Sequence, residues 1–332
     1  MAPFFKAVTV RLASQSRQVT VYTGDIDKEW LVGSVPNGGY LLALIIEACL
    51  QYQSTSTHRD PIHVTAHFLR SSSVEPYEIR VHAVKSGKGF TNLVAELVQK
   101  GETKVTTHLI FGINAPSPTQ RTRLSIDPPS PYARQIPLYV HPSKSTPSSM
   151  RDVFRFEDQV KTTTDPVIAA KNRIDSPTRT TNSTVGGGGL EWAGWLEFMD
   201  KGEKITSPSL AFLVDIFVNT PRLLPRAMKG NLGASWFPTM VLSIEFRSPI
   251  PPPSAVHADR TVGIYSLGRF LNDPDHRHDS YVEVWTAPSN IGEGTDSKDW
   301  MSGQVCLATA THMSLTVPLE VNEAKGKRDA KL

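Results

Sequence analysis

The strongest constraint on the fold is the segment Leu41-Leu-Ala-Leu-Ile-Ile-Glu-Ala-Cys-Leu50, whose apolar residues leave no polar stripe on any side of a helix. A helix that is apolar all round is a buried helix. It is much shorter than the about 20 residues needed to cross a bilayer. Other elements of the chain must therefore wrap it, and the segments that follow alternate apolar and polar residues as strands do. The run before the helix, Val35-Pro-Asn-Gly-Gly-Tyr40, is a turn. Pro36 and Asn37 suit a turn and a cap, and Asn can accept a bond from an early helical N–H. Gly38 and Gly39 lack a Cβ, so another backbone or a ligand can approach closely.

The first half reads in order as a strand over 17–23, the turn and helix of 36–52, then strands over 62–68, 77–85, 90–99 and 103–112. Residues 114–188 are rich in Pro, Ser and Thr and end in Gly186–Gly189, which predicts a long connector. Val153–Phe156 is an apolar island within it, suited to a strand laid on a neighbour. The first pattern then returns: a strand over 190–198, an apolar helix over 210–218, and strands over 238–247, 260–270, 280–287 and 303–317. Repetition at this scale indicates duplication of a whole domain. The expected layout is a first domain over 1–113, a connector over 114–188, a second domain over 189–320 and a charged tail over 321–332.

The 332 residues suffice for two domains without covalent staples. With 35 basic against 32 acidic residues, the charge balance does not favour a nucleic-acid partner. Cys49 and Cys306 both lie in apolar runs, which fits two buried thiols in a reducing compartment better than a disulfide. No membrane span or secretory leader is read from the sequence. The terminal Ala330-Lys331-Leu332 is a conservative variant of the Ser-Lys-Leu peroxisomal address, so a peroxisomal import receptor is an expected partner and the peroxisome the expected location, otherwise the cytoplasm. The other reading of this end is an ordinary solvated tail.

Asp215 is the one polar side chain in the run 210–218. Burying a carboxylate without partners is costly, so such a residue has a specific role, as a general base on water or as a structural hydrogen-bonding group. Glu47 takes the equivalent place when the two helices are overlaid through Ala43 and Ala211, and is the rival base. Gly38 and Gly39 lie at a helix start, where unpaired N–H groups and the helix dipole favour negative charge and could receive an oxyanion. Close helix packing is the competing explanation of the two glycines. Asp275-His-Arg-His-Asp279 has metal-ligand residue types but reads as a solvated turn. No Gly-x-Ser-x-Gly elbow and no Gly-rich phosphate loop are present.

The motifs Pro36-Asn-Gly-Gly-Tyr40, His67-Phe-Leu-Arg70, Ser86-Gly-Lys-Gly-Phe90 and Glu96-Leu-Val-Gln99, with Leu213-Val-Asp215 and the strand from Thr239 to Phe246, resemble the type II acyl-CoA thioesterase-like family, a double hotdog group. The resemblance implies an α+β fold of two fused hotdogs, each an antiparallel sheet gripping a helix, with the fusion replacing the dimer of single hotdogs. It implies hydrolysis of a fatty or polyketide-like acyl-CoA by carboxylate-activated water, with Asp215 as base and Thr239 and Thr311 holding the water. The family's Gln position falls near Thr311, a departure that leaves His312 as a possible substitute. The resemblance requires no metal or redox cofactor. A hotdog hydratase, dehydratase or tailoring enzyme with His312 or His67 as second acid–base group, and a non-catalytic acyl-CoA-binding protein, stay open, as does a homo-oligomer.

Overall fold

The computed structural model describes residues 2–114, 130–149, 154–271 and 276–329. The first half contains β1 (Arg11–Gln15), β2 (Thr20–Asp25), helix α1 (Gly38–Tyr52), β3 (Asp60–Phe68), β4 (Pro76–Ser86), β5 (Thr91–Gln99) and β6 (Glu102–Gly112). The second contains β7 (Pro147–Ser148), β8 (Val160–Thr163), β9 (Leu190–Phe198), helix α2 (Ser207–Leu213), β10 (Thr239–Phe246), β11 (Thr261–Arg269), β12 (Arg277–Thr286) and β13 (Cys306–Leu315), followed by helix α3 (Leu319–Asp329).

All 13 of these strands belong to one sheet, in the order β1-β2-β4-β5-β6-β3-β10-β13-β12-β11-β9-β8-β7. Outward from the centre, one half runs β3-β6-β5-β4-β2-β1 and the other β10-β13-β12-β11-β9-β8. Each half thus has the same order of equivalent strands, which is the duplication expected from the sequence. The halves join through the antiparallel pair β3 and β10, with Thr65 opposite Ser243 and their hydroxyls 3.1 Å apart. Alternation along β3 sends Val64 and Ala66 into the core and His67 outward into solvent.

Helix α1 is capped by the Asn37 side chain, which accepts from the Tyr40 N–H at 2.9 Å. Leu42, Ala43, Leu44, Ile45, Ile46, Ala48 and Cys49 are fully buried along it. Each such Leu or Ile contributes about 1.5–3 kcal/mol relative to exposure, which is ample to hold a helix with no polar face. Helices α1 and α2 cross very closely: a Cβ on Gly39 would lie 2.6 Å from the Ala211 carbonyl oxygen and 2.9 Å from the Phe212 Cα. An aromatic cluster closes the core around them, with Trp30 stacked on Phe156 and edge-on to Phe4 and Phe212.

Three expectations change. Helix α2 ends at Leu213 rather than continuing to 218, so Asp215 lies in the turn that leaves it. The chain tightens there, the Asp215 N–H donating to the Phe212 carbonyl and the Ile216 N–H to the Leu213 carbonyl. The 114–188 segment is not a simple connector. Its strands β7 and β8 extend the second half of the sheet, and Phe156 joins the aromatic core. Ile136 and Leu138 cover Trp195, Tyr265 and Trp285 in a second apolar cluster. Buried Asp165 holds this layer together, accepting from the N–H groups of Tyr139, Val140, Val167 and Ile168. Of the apolar island, Phe154 bridges Val32, whereas Val153 lies outside the described residues. The tail, finally, is helical over α3, and Asn322 is fully buried: it accepts from the Ser34 N–H and donates to the Val32 carbonyl. Ala330, Lys331 and Leu332 lie outside the described residues.

Cys49 and Cys306 are both free thiols. Among the described residues no helix is long and apolar enough to cross a membrane. No group of three or more potential metal ligands occurs among them; Asp275 lies outside them. His278, read from sequence as part of a solvated turn, is a buried residue of β12 that contacts Asn219 and Thr316.

Candidate active site

The site forms where the exit of α2 meets the start of α1. The Asp215 carboxylate is held from one side: Oδ2 accepts from the Gly39 N–H at 2.8 Å and from the Asn37 side-chain amide at 3.0 Å. Asn37 therefore works twice, its oxygen capping α1 and its NH2 group gripping Asp215. Oδ1 accepts from the Thr239 hydroxyl at 3.4 Å, Thr239 being the first residue of β10. On the far side, Nδ1 of His312 lies 3.6 Å from Oδ1. The helix start adds a positive dipole end beside the carboxylate.

Burial pushes the Asp215 carboxyl up to about 6, against the Gly39 N–H, the Asn37 amide and the Thr239 hydroxyl, each of which favours the charged form. At neutral pH the group is largely ionised yet able to take a proton, the condition for a general base. Burial drives the His312 imidazole down to about 3, so it is neutral at working pH. Its Nε2 is 3.1 Å from the Val214 carbonyl and donates to it.

Asp215 opens onto a cavity of about 640 Å³. Phe68, Phe154, Phe217, Trp236 and Phe237 supply apolar walls, and Arg70, Arg222, Lys229 and Lys325 line it as well. Gly38, Thr239 and Asn37 share the lining with Asp215. A space of this size and character is suited to a small ligand with an apolar part and an anionic part.

Family models match both halves of this arrangement. An acyl-CoA thioesterase N-terminal domain matches residues 26–112, and an acyl-CoA thioesterase C-terminal domain matches residues 142–287. The chain belongs to the acyl-CoA thioesterase family.

The second match begins inside the predicted connector, in agreement with the pairing of β7 and β8 to the second half. The fold is similar to that of a candidate thioesterase II from Thermobifida fusca YX, with a TM-score of 0.63 and 21% identity over 96% of this chain and 98% of that one. A protein of unknown function with the hot dog fold from Alicyclobacillus acidocaldarius gives 0.61 and 16%, over 95% of this chain and 97% of that one. The acyl-CoA thioesterase II TesB2 of Mycobacterium marinum gives 0.60 and 11%, over 95% and 98%. The double hotdog α+β fold is thus that of the thioesterase family. A sequence relative, the ustilagic acid biosynthesis cluster protein orf2 of Mycosarcoma maydis, is 36% identical over 84 residues, which is 24% of this chain and 22% of that protein. The match therefore spans about a fifth of that relative.

Within this thioesterase fold the residues singled out from sequence separate clearly. Asp215, Thr239, Gly38, Gly39 and His312 come together. Thr311 does not: it is exposed on the outer face of β13, because alternation turns Ala308, Ala310 and His312 inward and Thr311 out. Glu47 does not line the cavity and instead accepts from the Gln51 amide at 3.0 Å, one turn along α1. Gly39 is used for close helix packing, and its N–H is already given to Asp215. Of the two glycines, Gly38 is the one that lines the cavity. Asn37 was read only as a cap. Its free amide end was the signal for a second role, since an Asn that caps through its oxygen still has two donors to place.

Proposed function

We propose that the protein hydrolyses a fatty or polyketide-like acyl-CoA to the free acid and CoA, with Asp215 as general base. The observation that carries this reading is the one-sided grip on Asp215. With Oδ2 held by Gly39 and Asn37, Oδ1 is left beside Thr239 at the wall of a cavity that has apolar and cationic walls.

The reaction follows from these groups. A water donates one proton to Asp215 Oδ1 while the Thr239 hydroxyl orients it. Its oxygen attacks the thioester carbonyl, and the carbonyl oxygen becomes an oxyanion. The first N–H groups of a helix have no partner within it, so the Gly38 N–H is the donor offered to that oxyanion. The tetrahedral centre collapses, the C–S bond breaks, and the proton on Asp215 passes to the leaving sulfur. The acyl chain takes the aromatic walls, and the phosphates of CoA take the cations.

A hydratase would need a second acid–base group facing substrate. His312 is only 1% exposed behind Asp215 and does not line the cavity, while His67 is on the outer face of β3, which favours hydrolysis. With Ala330-Lys331-Leu332 read by an import receptor, the reaction would take place in peroxisomes. The test is thiol release from short to long acyl-CoAs by wild type and Asp215→Asn. Thiol release that falls by two or more orders of magnitude in a folded Asp215→Asn supports the reading. No thiol release by wild type from any member of the panel would overturn it.

A further inference from the structure

We propose that His312 is a positioning residue for Asp215, its unprotonated Nδ1 holding the proton that the carboxyl takes from water, so that carboxyl and imidazole share one proton during turnover. The proposal deepens the hydrolytic reading above and rests on it.

The geometry assigns the tautomer. The Val214 carbonyl can only accept, so the Nε2 that faces it at 3.1 Å carries the hydrogen. In a neutral ring Nδ1 is then a bare acceptor. Among the described residues it is buried without a hydrogen-bond partner, and it points at Asp215 Oδ1 across 3.6 Å. Phe217 packs edge-on to the ring at 5.1 Å and helps to exclude water. Two acceptors face one another in a dry site, an arrangement that is unfavourable when Asp215 is ionised. Protonation of Oδ1 removes the conflict once the O–H turns from the cavity to face Nδ1, where only a small approach is needed to bond with it.

Every other group on Asp215 pulls the opposite way. From α1 come the Gly39 N–H and the Asn37 amide, and from β10 the Thr239 hydroxyl, all donors to the charged form. From β12, His278 faces His312 and disfavours a charge on it. The strand neighbours of His312, Leu242 and Ser280, carry no charge. From the cavity side Arg70, Arg222, Lys229 and Lys325 add positive charge. Beside burial, which is the main cause of the raised carboxyl, His312 is the group placed to favour the acid form and so to add to the base strength of the carboxylate.

Two variants divide the ring's functions. His312→Gln keeps a donor for Val214 and removes the Nδ1 acceptor. His312→Asn puts an oxygen near the Nδ1 position and gives up the Val214 bond. In His312→Gln, kcat should fall about tenfold with KM little changed, and the acid-side midpoint of the rate profile should move to lower pH by about one pH unit. His312→Asn should keep the wild-type midpoint. As a readout independent of turnover, nitrogen NMR of labelled histidine in wild type should show the His312 Nδ1 signal moving towards a hydrogen-bonded acceptor as pH falls through about 6. A stationary signal, or wild-type kcat and midpoint in His312→Gln, would overturn the proposal even if thiol is released. A moving signal with no thiol release by wild type would leave the shared proton standing and overturn the hydrolytic reading instead.

Discussion

Substituting Gly39 by Ala tests the contact on which the whole site rests. The added Cβ would lie 2.6 Å from the Ala211 carbonyl oxygen, 2.7 Å from the Asp215 Cβ and 2.9 Å from the Phe212 Cα. Two of these three atoms are backbone, so no side-chain rotation relieves the overlap, and α1 and α2 must move apart by a large fraction of an ångström. Overpacking of this kind costs about 1–3 kcal/mol. Replacing Gly with Ala in a helix returns about 1 kcal/mol, which leaves a net loss of up to about 2 kcal/mol. For a chain of this size the loss lowers Tm by a few degrees, roughly 2–4 °C per kcal/mol at most. The effect on thiol release should be much larger, because the same displacement breaks the 2.8 Å bond that aims Asp215. A 1 Å misplacement at a reacting group can cost about a hundredfold in rate. Gly38→Ala is the control. Its Cβ would meet the Asp215 Oδ2 and the Phe68 ring edge at 3.3 Å, side-chain contacts that must give by only a few tenths of an ångström and involve no backbone. Its Tm should stay level or rise, with a modest loss of rate. Scanning calorimetry and thiol release measured on both variants decide the matter. Gly39→Ala with wild-type Tm and rate would refute the argument that this approach sets the site.

Other outcomes follow from the same geometry. Thiol release should fall as pH drops through about 6, where burial holds the Asp215 carboxyl, and a rate profile flat down to pH 4 would contradict that assignment. The same shift has a stability sign. The folded carboxyl binds its proton more readily than the ordinary 3.8, so its contribution is present below 3.8 and is lost as pH rises through about 6. Asp215→Asn should therefore gain stability relative to wild type between pH 4 and pH 7, by about 2–3 kcal/mol at most, measured by urea unfolding at each pH. Asn37→Ala removes a donor from the charged carboxylate, so the acid limb should move to higher pH, the reverse of His312→Gln; it also loses a cap worth about 0.5–2 kcal/mol. Asn322→Ala leaves the half-buried Ser34 N–H and Val32 carbonyl without this partner, which costs about 1–3 kcal/mol at most. Limited proteolysis should then cut α3 from the body faster than in wild type.

Much of the fold was legible because it is written in local periods. The apolar run around Leu44, the second one around Phe212 and the period-two strands fixed what must be buried and how often the pattern repeats. Alternation could also have separated His312 from Thr311, since Ala308 and Ala310 already mark the inward face of β13. A one-residue difference on a strand is a difference of face, and the aligned position alone did not respect it. The stretch 114–188 was misjudged for the opposite reason. Its composition is that of a linker, while Asp165 and Phe156 owe their roles to partners far along the chain.

The sequence by itself determined the two buried helices, the repeated strand order and the presence of a carboxylate at Asp215 that needed a reason to be there. Only the tertiary structure decided what that reason is built from. Asn37 and Gly39 reach Asp215 across more than 170 residues of chain. His312 presents a bare nitrogen to the carboxylate from β13, almost a hundred residues further along the same half. Apolar burial follows from residue type and period, so it can be read locally. The partners of a buried polar group depend on which ends of which elements meet, and that is settled when the two halves pack.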